Sequence, residues 1–297
     1  MKKEFACHLA ILGATVIWGA AFLAQKLGAA HFGPFALVSF RNFLGAGVLA
    51  VAAVLGRRGI HPTPAELIGG LASGSCLAAA MLAQQVGIEQ TTSGISAFLT
   101  TNYVWLVPVF ACLIGLRRPS VKVWAAVTMA VVGSFLVCVT LGPERLSVGK
   151  GELWTLLCAA LFAIQILVVD RFSARVDILR FSAIQLLAAA VVALPFVFLP
   201  SELAHLNAKD FVAGLPALLF VGILSSGVAF TLQNVGQAGI SPATAAIIMS
   251  LESVFGALFA WLVLGETMSG AKATGCALVF IASLLPQFGG PKSVTSR

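Results

Sequence analysis

Long stretches without a charged residue constrain this chain more than any other feature of its sequence. They extend over Phe5–Gln25, Leu67–Ile88, Gln90–Leu116, Val123–Pro143, Phe181–Ser201 and Phe211–Leu251. About 20 apolar residues in a helix cross the hydrocarbon core of a bilayer. Several of these stretches therefore cross the membrane, and the last must contain two crossings.

The composition would leave a water-soluble fold without enough polar residues to cover its surface. Of the 297 residues, 59% are hydrophobic and 10% are charged, and the mean hydropathy is +1.01. Soluble domains have roughly a quarter of their residues charged. The sequence therefore predicts an all-α polytopic membrane protein surrounded by a lipid bilayer.

The net charge of +7 does not indicate a nucleic-acid partner. The Lys and Arg residues lie at the ends of apolar segments, where membrane topology places them, and they form no stripe with interleaved aromatic residues. The first apolar stretch is too long for a signal peptide and many more follow, so we predict that it is the first transmembrane helix. The six cysteines form no CxxC pair and no Cys–His metal spacing, which indicates small buried side chains and predicts no metal or cofactor.

Windows of about 19 residues predict ten transmembrane helices joined by short connections. These helices are expected near residues 7–27, 35–55, 66–87, 93–116, 120–140, 152–170, 178–199, 211–234, 242–264 and 271–288. Ser241-Pro242 predicts a helix start, with serine as the N-cap and proline at the first helical position. No connection is long enough for a soluble domain.

The distribution of basic residues predicts the orientation of the chain. With the N-terminus inside, twelve Lys and Arg residues fall on the inner side of the membrane and five on the outer side. Cytoplasmic connections are enriched in Lys and Arg. We therefore expect both termini to be cytoplasmic, and an even number of crossings is consistent with both ends lying on one side.

The chain repeats itself once. Gly94–Phe110 and Gly239–Phe255 align without a gap and agree at Gly, Ile, Ser, Leu, Val and Phe, and Ala80–Gly87 aligns with Ala229–Gly236. Two further matches in the same order pair Thr15, Ala20, Phe22 and Gln25 with Thr155, Ala160, Phe162 and Gln165, and Ser39–Gly47 with Ser182–Ala190. The offsets lie between 140 and 149 residues. We therefore predict two five-helix repeats, residues 1–145 and residues 146–297.

Five crossings per repeat is an odd number, so the two copies are expected to insert in opposite directions. Inverted repeats of this kind build many secondary transporters, with the substrate site near the middle of the membrane between the halves. Two similar halves can rock between states of nearly equal energy, as alternating access requires. A duplicated bundle without a transport role remains an alternative.

Several stretches resemble a known family. WGAAFLAQKLG from Trp18, AQQVGIEQTTSGISAFLTTNYVWLVPVF from Ala83 and LQNVGQAGISPATAAIIMSLESVFGALFAWLVLGETMSGAKATGCALVFIAS from Leu232 are similar to EamA-type permeases of the drug/metabolite transporter superfamily. The resemblance covers essentially the whole chain. It implies a ten-helix carrier of a bacterial-type inner membrane, monomeric or homodimeric, that exports or exchanges small organic metabolites. One departure is that the acidic LGE turn occurs once, at Glu266, so it cannot be needed in both halves.

Polar residues within the predicted spans are the candidates for a substrate cavity, because such residues usually face the bundle interior. The candidates are Trp18, Gln25, Arg41, Gln85, Asn102, Tyr103, Gln165, Gln185 and Gln233. The amides recur in both repeats, whereas Arg41 and Glu252 each occur once. This pattern predicts an amide-lined cavity to which one cation and one anion are added.

Two roles are open for the charged pair. In the first, Arg41 holds a substrate carboxylate, and Glu252 accepts an ammonium group or binds a coupling proton. In the second, Arg41 and Glu252 pair with each other or with amides and only fix helix packing. Pro108, Pro195 and Pro216 lie inside predicted spans and are candidates for helix breaks.

The expected function is secondary-active transport of small organic metabolites by alternating access. Amino acids and drug-like compounds are open substrate classes, and protons are an open coupling ion. The sequence contains no HExxH motif and no P-loop, so we expect neither an enzyme nor an ATP-driven pump. A membrane-embedded enzyme remains the alternative.

Overall fold

A computed structural model of the chain describes residues 2–56, 61–91, 93–116, 119–138, 149–204, 207–265 and 267–285. Some expectations concern residues outside these ranges. They are the repeat boundary between residues 145 and 146, the acidic turn at Glu266, and several basic residues used for the orientation, such as Arg57 and Arg297.

Every regular element in the described ranges is helical. The α-helices are α1 (Lys2–Gly28), α2 (Pro34–Leu55), α3 (Pro64–Gln90), α4 (Ser93–Thr100), α5 (Tyr103–Leu113), α6 (Val121–Cys138), α7 (Lys150–Phe172), α8 (Ile178–Ala193), α9 (Pro200–Leu203), α10 (Ala208–Leu219), α11 (Phe230–Gln237), α12 (Pro242–Met249), α13 (Leu251–Leu264) and α14 (Gly270–Leu284). Two 3₁₀ segments, Ser173–Arg175 and Leu194–Phe198, follow α7 and α8, and a π-helix, Phe220–Ala229, joins α10 to α11.

Eight helical segments are long and apolar enough to cross a membrane. They are Lys3–Gly28, Pro34–Leu55, Pro64–Gln90, Gly94–Leu113, Lys150–Arg175, Ile178–Phe198, Ala208–Gln237 and Pro242–Val263. Two shorter apolar helices, Val121–Val137 and Gly270–Leu284, match the fifth and tenth predicted spans. The prediction of an all-α polytopic membrane protein is confirmed.

Capping residues set where several of these helices begin. Thr63 and Glu66 form a reciprocal capping box at the start of α3, with the Thr63 N–H donating to Glu66 Oε2 at 2.8 Å. Ser241 Oγ accepts from the Thr244 N–H at 3.2 Å, and Pro242 occupies the first turn of α12, as the sequence predicted. These caps satisfy N–H groups that have no partner within the helix.

Two spans are interrupted near their middle. Thr101 and Asn102 separate α4 from α5, and Ser250 separates α12 from α13. Asn102 Nδ2 donates to the carbonyl oxygens of Phe98 and Leu99 at 3.1 and 3.2 Å, so its side chain stabilises the first interruption. Irregular backbone at membrane depth is tolerated where it is buried in protein or lines a cavity.

The three prolines lie in different settings. Pro195 belongs to the 3₁₀ segment directly after α8, so there the regular helix does end. Pro108 lies within α5 and Pro216 within α10, and both helices continue past the ring. The π-helix begins at Phe220, one turn beyond Pro216. Loss of one backbone donor is tolerated in a membrane helix because neighbouring groups and local adjustments compensate.

Helices from the two halves of the chain pack closely against each other. α3 runs along α7 and α8, α2 along α8 and the π-helix, and α1 along α11 and α13. A Cβ atom added to Gly70 would lie 2.7 Å from Ile184 Cγ2, and one added to Gly74 would collide with the Gln185 carbonyl oxygen. These glycines therefore allow the close backbone approach that is typical of membrane helix pairs.

Candidate functional site

A cavity lies where α1, α2 and α3 meet α7, the π-helix and the interrupted spans. About 490 Å³ of space at this site is not filled by protein atoms, and part of that space is open to the outside. Its polar lining is Gln25, Arg41, Gln84, Thr100, Tyr103, Gln165, Ser225, Gln233 and Glu252. Its apolar lining is Trp18, Ala21, Phe22, Met81, Phe162, Ile166, Phe230 and Met249.

Most of the candidates identified from the sequence line this cavity. They are Trp18, Gln25, Arg41, Tyr103, Gln165, Gln233 and Glu252. The structure does not place Gln85, Asn102 or Gln185 there. Gln85 is fully buried within α3, Asn102 caps the interruption after α4, and Gln185 accepts a hydrogen bond from Asn234 Nδ2 at 2.8 Å.

Arg41 is held on α2 by three side chains. Its Nη1 donates to Gln25 Oε1 at 3.1 Å, its Nη2 to Ser225 Oγ at 2.8 Å and its Nε to Ser226 Oγ at 3.0 Å. A guanidinium has five N–H donors, so one N–H on Nη1 and one on Nη2 remain. The arginine is 2% exposed. It is therefore a fixed, largely desolvated cation with two donors left for a ligand.

The π-helix supplies two of these partners. Its wider turn places the neighbouring Ser225 and Ser226 so that both hydroxyls reach Arg41. The Ser225 carbonyl oxygen also accepts from Trp18 Nε1 at 3.2 Å. π-helical turns occur frequently at functional sites, and here one widened segment holds both a cation and an aromatic ring of the cavity wall.

Glu252 lies in the first turn of α13, directly after the interruption at Ser250. It is 5% exposed, and its Oε1 accepts from Tyr103 Oη at 2.9 Å. The amino-terminal end of a helix favours negative charge. Because Tyr103 begins α5 after the other interruption, the two broken spans meet at this hydrogen bond.

Among the described residues, Arg41 and Glu252 form no ion pair with each other or with another charged group. Both nevertheless face the same cavity. They do not pair with each other in the described residues, and one amide, Gln25, holds Arg41, as the packing alternative expects. An uncompensated cation and carboxyl group in one buried cavity are costly unless a ligand or proton joins them.

Aromatic and thioether side chains form the rest of the wall. The ring centroids of Trp18 and Phe230 are 4.9 Å apart at an interplanar angle of 59°. Met81 and Met249 complete this surface, and Met adapts readily to different ligand shapes. The cavity therefore combines polar anchors with an adaptable apolar wall.

The repeat contains a signal that identifies several lining residues missed above. At the offset of 149 residues, Gln84 corresponds to Gln233 and Met81 to Phe230. All four line the cavity. Gln84 thus takes the place in the cavity that was expected for Gln85. The repeat favours Gln84, because Gln84 corresponds to Gln233. Ser225 carries no comparable signal.

In the described part of the chain, no group of three or more His, Cys, Asp or Glu side chains is arranged to hold a metal ion. The polar groups of the cavity are mostly amides and hydroxyls. Such groups can donate or accept hydrogen bonds.

Comparison with known proteins gives consistent matches along most of the chain. A protein from Archaeoglobus fulgidus described as an uncharacterized transporter is 24% identical over 286 residues, which cover 95% of this chain and 86% of that protein. An uncharacterized transporter from Bacillus subtilis is 24% identical and covers 91% of this chain and 93% of its own length. A WAT1-related chloroplastic protein from Arabidopsis thaliana is 28% identical and covers 91% of this chain and 67% of its own length.

A solved crystal structure shares the fold. It superposes with a TM-score of 0.72 at 20% sequence identity, covering 94% of this chain and 96% of the other. The EamA-like transporter family matches the chain twice, over residues 5–139 and 149–286. This polytopic helical chain matches the family along both of its halves, and a polar cavity lies between them. The chain therefore belongs to the EamA-like transporter family.

Proposed function

We propose that this protein is a secondary-active carrier that exports or exchanges small organic metabolites by alternating access. The observation that carries the proposal is that a buried cation, Arg41, and a buried carboxyl group, Glu252, face one cavity without being paired with each other. A ligand bearing both signs of charge would complete both groups. An amino-acid-like zwitterion is the simplest such ligand.

The topology supports alternating access. The two family matches contain five membrane segments each, counting interrupted spans once, and residues 140–148 between them include the proposed boundary at 145/146. Because five crossings reverse direction, the second half inserts opposite to the first. The cavity is lined by both halves, as expected for a site on the pseudo-two-fold axis of an inverted repeat. With the N-terminus inside, as the distribution of Lys and Arg residues predicts, both termini are proposed to lie on the cytoplasmic side of a bacterial-type inner membrane.

Arg41 is proposed as the anchor for a substrate carboxylate. Its two remaining N–H donors match the two oxygens of a carboxylate, and charge-assisted pairs of this kind are the strong ones. Gln25, Ser225 and Ser226 fix the guanidinium in place before the substrate arrives. Little side-chain entropy is then lost on binding.

Glu252 is proposed to bind either the substrate ammonium group or the coupling proton. Its hydrogen bond from Tyr103 spans the two interrupted helices. A rocking movement that separates α5 from α13 would break this bond and change how readily the carboxyl group holds a proton. Loading of Glu252 and the conformational change are in this way coupled.

The test is transport by the purified full chain in liposomes. A panel of labelled amino acids and other small metabolites is offered with and without a pH gradient, in both gradient directions. At least one amphoteric compound should enter by counterflow and be recovered chemically unchanged, which separates a carrier from the alternative of a membrane-embedded enzyme. No flux of any compound in either direction, from protein shown to be folded, would contradict the proposal.

A further inference from the structure

Three amides on the second half of the chain form a relay that begins at a backbone carbonyl. Gln237 Nε2 donates to the Ile166 carbonyl oxygen at 2.9 Å. A carbonyl oxygen only accepts, so this bond fixes which end of the Gln237 amide is the nitrogen. Gln237 Oε1 is therefore oriented to accept a hydrogen bond from Gln233.

The orientation is passed on through two more bonds. Gln233 Nε2 donates to Gln237 Oε1 at 2.8 Å and to Gln165 Oε1 at 3.2 Å. Each bond needs a nitrogen donor facing an oxygen acceptor, so the amides of Gln233 and Gln165 cannot flip without losing it. The Ile166 carbonyl oxygen thus determines the orientation of all three side-chain amides.

One donor and one acceptor are left over at the end of the relay. Gln165 Nε2 and Gln233 Oε1 are buried and have no hydrogen-bond partner in the described residues. Gln165 is 0% exposed and Gln233 is 1% exposed, and both line the cavity. Buried polar atoms are nearly always paired, so an unpaired donor and acceptor beside a cavity call for a ligand or for water.

The first half uses the equivalent amides differently. Gln25, the counterpart of Gln165, accepts from Arg41, and Gln84, the counterpart of Gln233, donates to Thr100 Oγ1 at 3.3 Å. In the first half, therefore, Gln25 holds the cation and Gln84 is bonded to a hydroxyl group. In the second half, Gln165 and Gln233 each keep one unpaired hydrogen-bonding atom.

From this arrangement we propose that Gln165 and Gln233 form a subsite for a neutral carboxamide group of the substrate. The carboxamide oxygen accepts from Gln165 Nε2, and its NH₂ group donates to Gln233 Oε1. Gln237 acts as a positioning residue, since it orients Gln233 without lining the cavity. This inference rests on the proposed carrier function and specifies its substrate class, namely small organic solutes that carry a carboxamide.

Two matched pairs of probes isolate the carboxamide. L-glutamine and L-methionine are similar in length and differ at the side-chain amide, and nicotinamide and 3-acetylpyridine differ by an NH₂ in place of a CH₃. Binding of each probe to the full chain in detergent is measured by calorimetry and by ligand-observed NMR. We expect the carboxamide member of at least one pair to bind roughly ten- to hundredfold more tightly, as for two hydrogen bonds made in a buried site.

Variants assign the preference to the subsite. Q165M and Q233M should each reduce the ratio of the two affinities to near one, and Q237L should reduce it by disorienting Gln233. Q185M is the matched control, because Gln185 is a buried amide with an unpaired nitrogen that does not line the cavity. It should keep the wild-type ratio.

Equal binding within both pairs, or no binding of any probe, by the wild-type chain would overturn the subsite, with water as the partner of these atoms. A ratio that persists in Q165M and Q233M would also overturn it. The transport assay separates this failure from failure of the carrier itself. Flux without amide preference supports the carrier function and contradicts the carboxamide subsite. Amide preference in binding without any flux supports the subsite and contradicts the carrier function.

Discussion

Replacing Arg41 with glutamine is expected to raise the apparent KM for a carboxylate-bearing substrate by about 10- to 150-fold. One hydrogen bond to a charged group contributes about 1.5–3 kcal/mol, and each 1.4 kcal/mol corresponds to about tenfold in affinity. The arginine is 2% exposed and already holds three bonds of 2.8–3.1 Å, so solvent screens it little. Glutamine keeps polarity, and its NH₂ group can replace at most one of the two remaining donors, so at least one charge-assisted hydrogen bond is lost.

The assay is counterflow in liposomes with the best substrate of the panel. R41K is the graded control, because lysine retains the charge but not the planar fork and should fall between the wild type and R41Q. Thermal unfolding in detergent establishes that both variants are folded. A folded R41Q protein with the wild-type KM would refute the reasoning that Arg41 contacts the substrate.

Three further variants test other parts of the account. Glu252→Gln should abolish the acceleration of transport by an imposed pH gradient while counterflow without a gradient persists, and an unchanged response would contradict the proton role. Gly74→Ala should destabilise the protein by roughly 1–3 kcal/mol in thermal unfolding, because its Cβ has no room, whereas Gly47→Ala, with nothing within 4 Å, should be nearly neutral. Glu66→Ala removes the side-chain half of the α3 capping box and the partner of Arg180, whose Nη2 lies 2.8 Å from Glu66 Oε1, and should lower the melting temperature by several degrees. An unchanged melting temperature would argue against a role for this ion pair in stability.

The sequence predicted the helical spans well, because the bilayer enforces them. Where a run such as Phe211–Leu251 faces hydrocarbon, its backbone groups have to find their partners within a helix. The interruptions of the spans were harder to predict from the sequence. They lie at Thr101–Asn102 and Ser250, where no proline or glycine marks them, while Pro108 lies within a continuous helix. The positions of these breaks depend on side chains such as Asn102, whose contacts arise only in the folded chain.

The cavity could be predicted in part, because buried polar residues in a membrane are few. Arg41 and Glu252 stand out in an apolar sequence, but the choice between Gln84 and Gln85 depends on helix rotation, which shifts by about 100° between neighbours. The repeat settles that choice when the offset is applied. Ser225 lies in a π-helix, which α2 approaches closely at Gly45 and Gly222. No local sequence pattern predicts this π-helix.

Alternating access to the cavity is the central claim, and cysteine labelling tests it most directly. Thr100 lines the cavity and is 2% exposed, and Thr100→Cys in a background without the native cysteines introduces a small reporter. A membrane-impermeant thiol reagent is applied separately to right-side-out and inside-out vesicles. The account predicts labelling from both sides, with substrate altering the balance between them. Labelling from one side alone under every condition, or from neither, would contradict it.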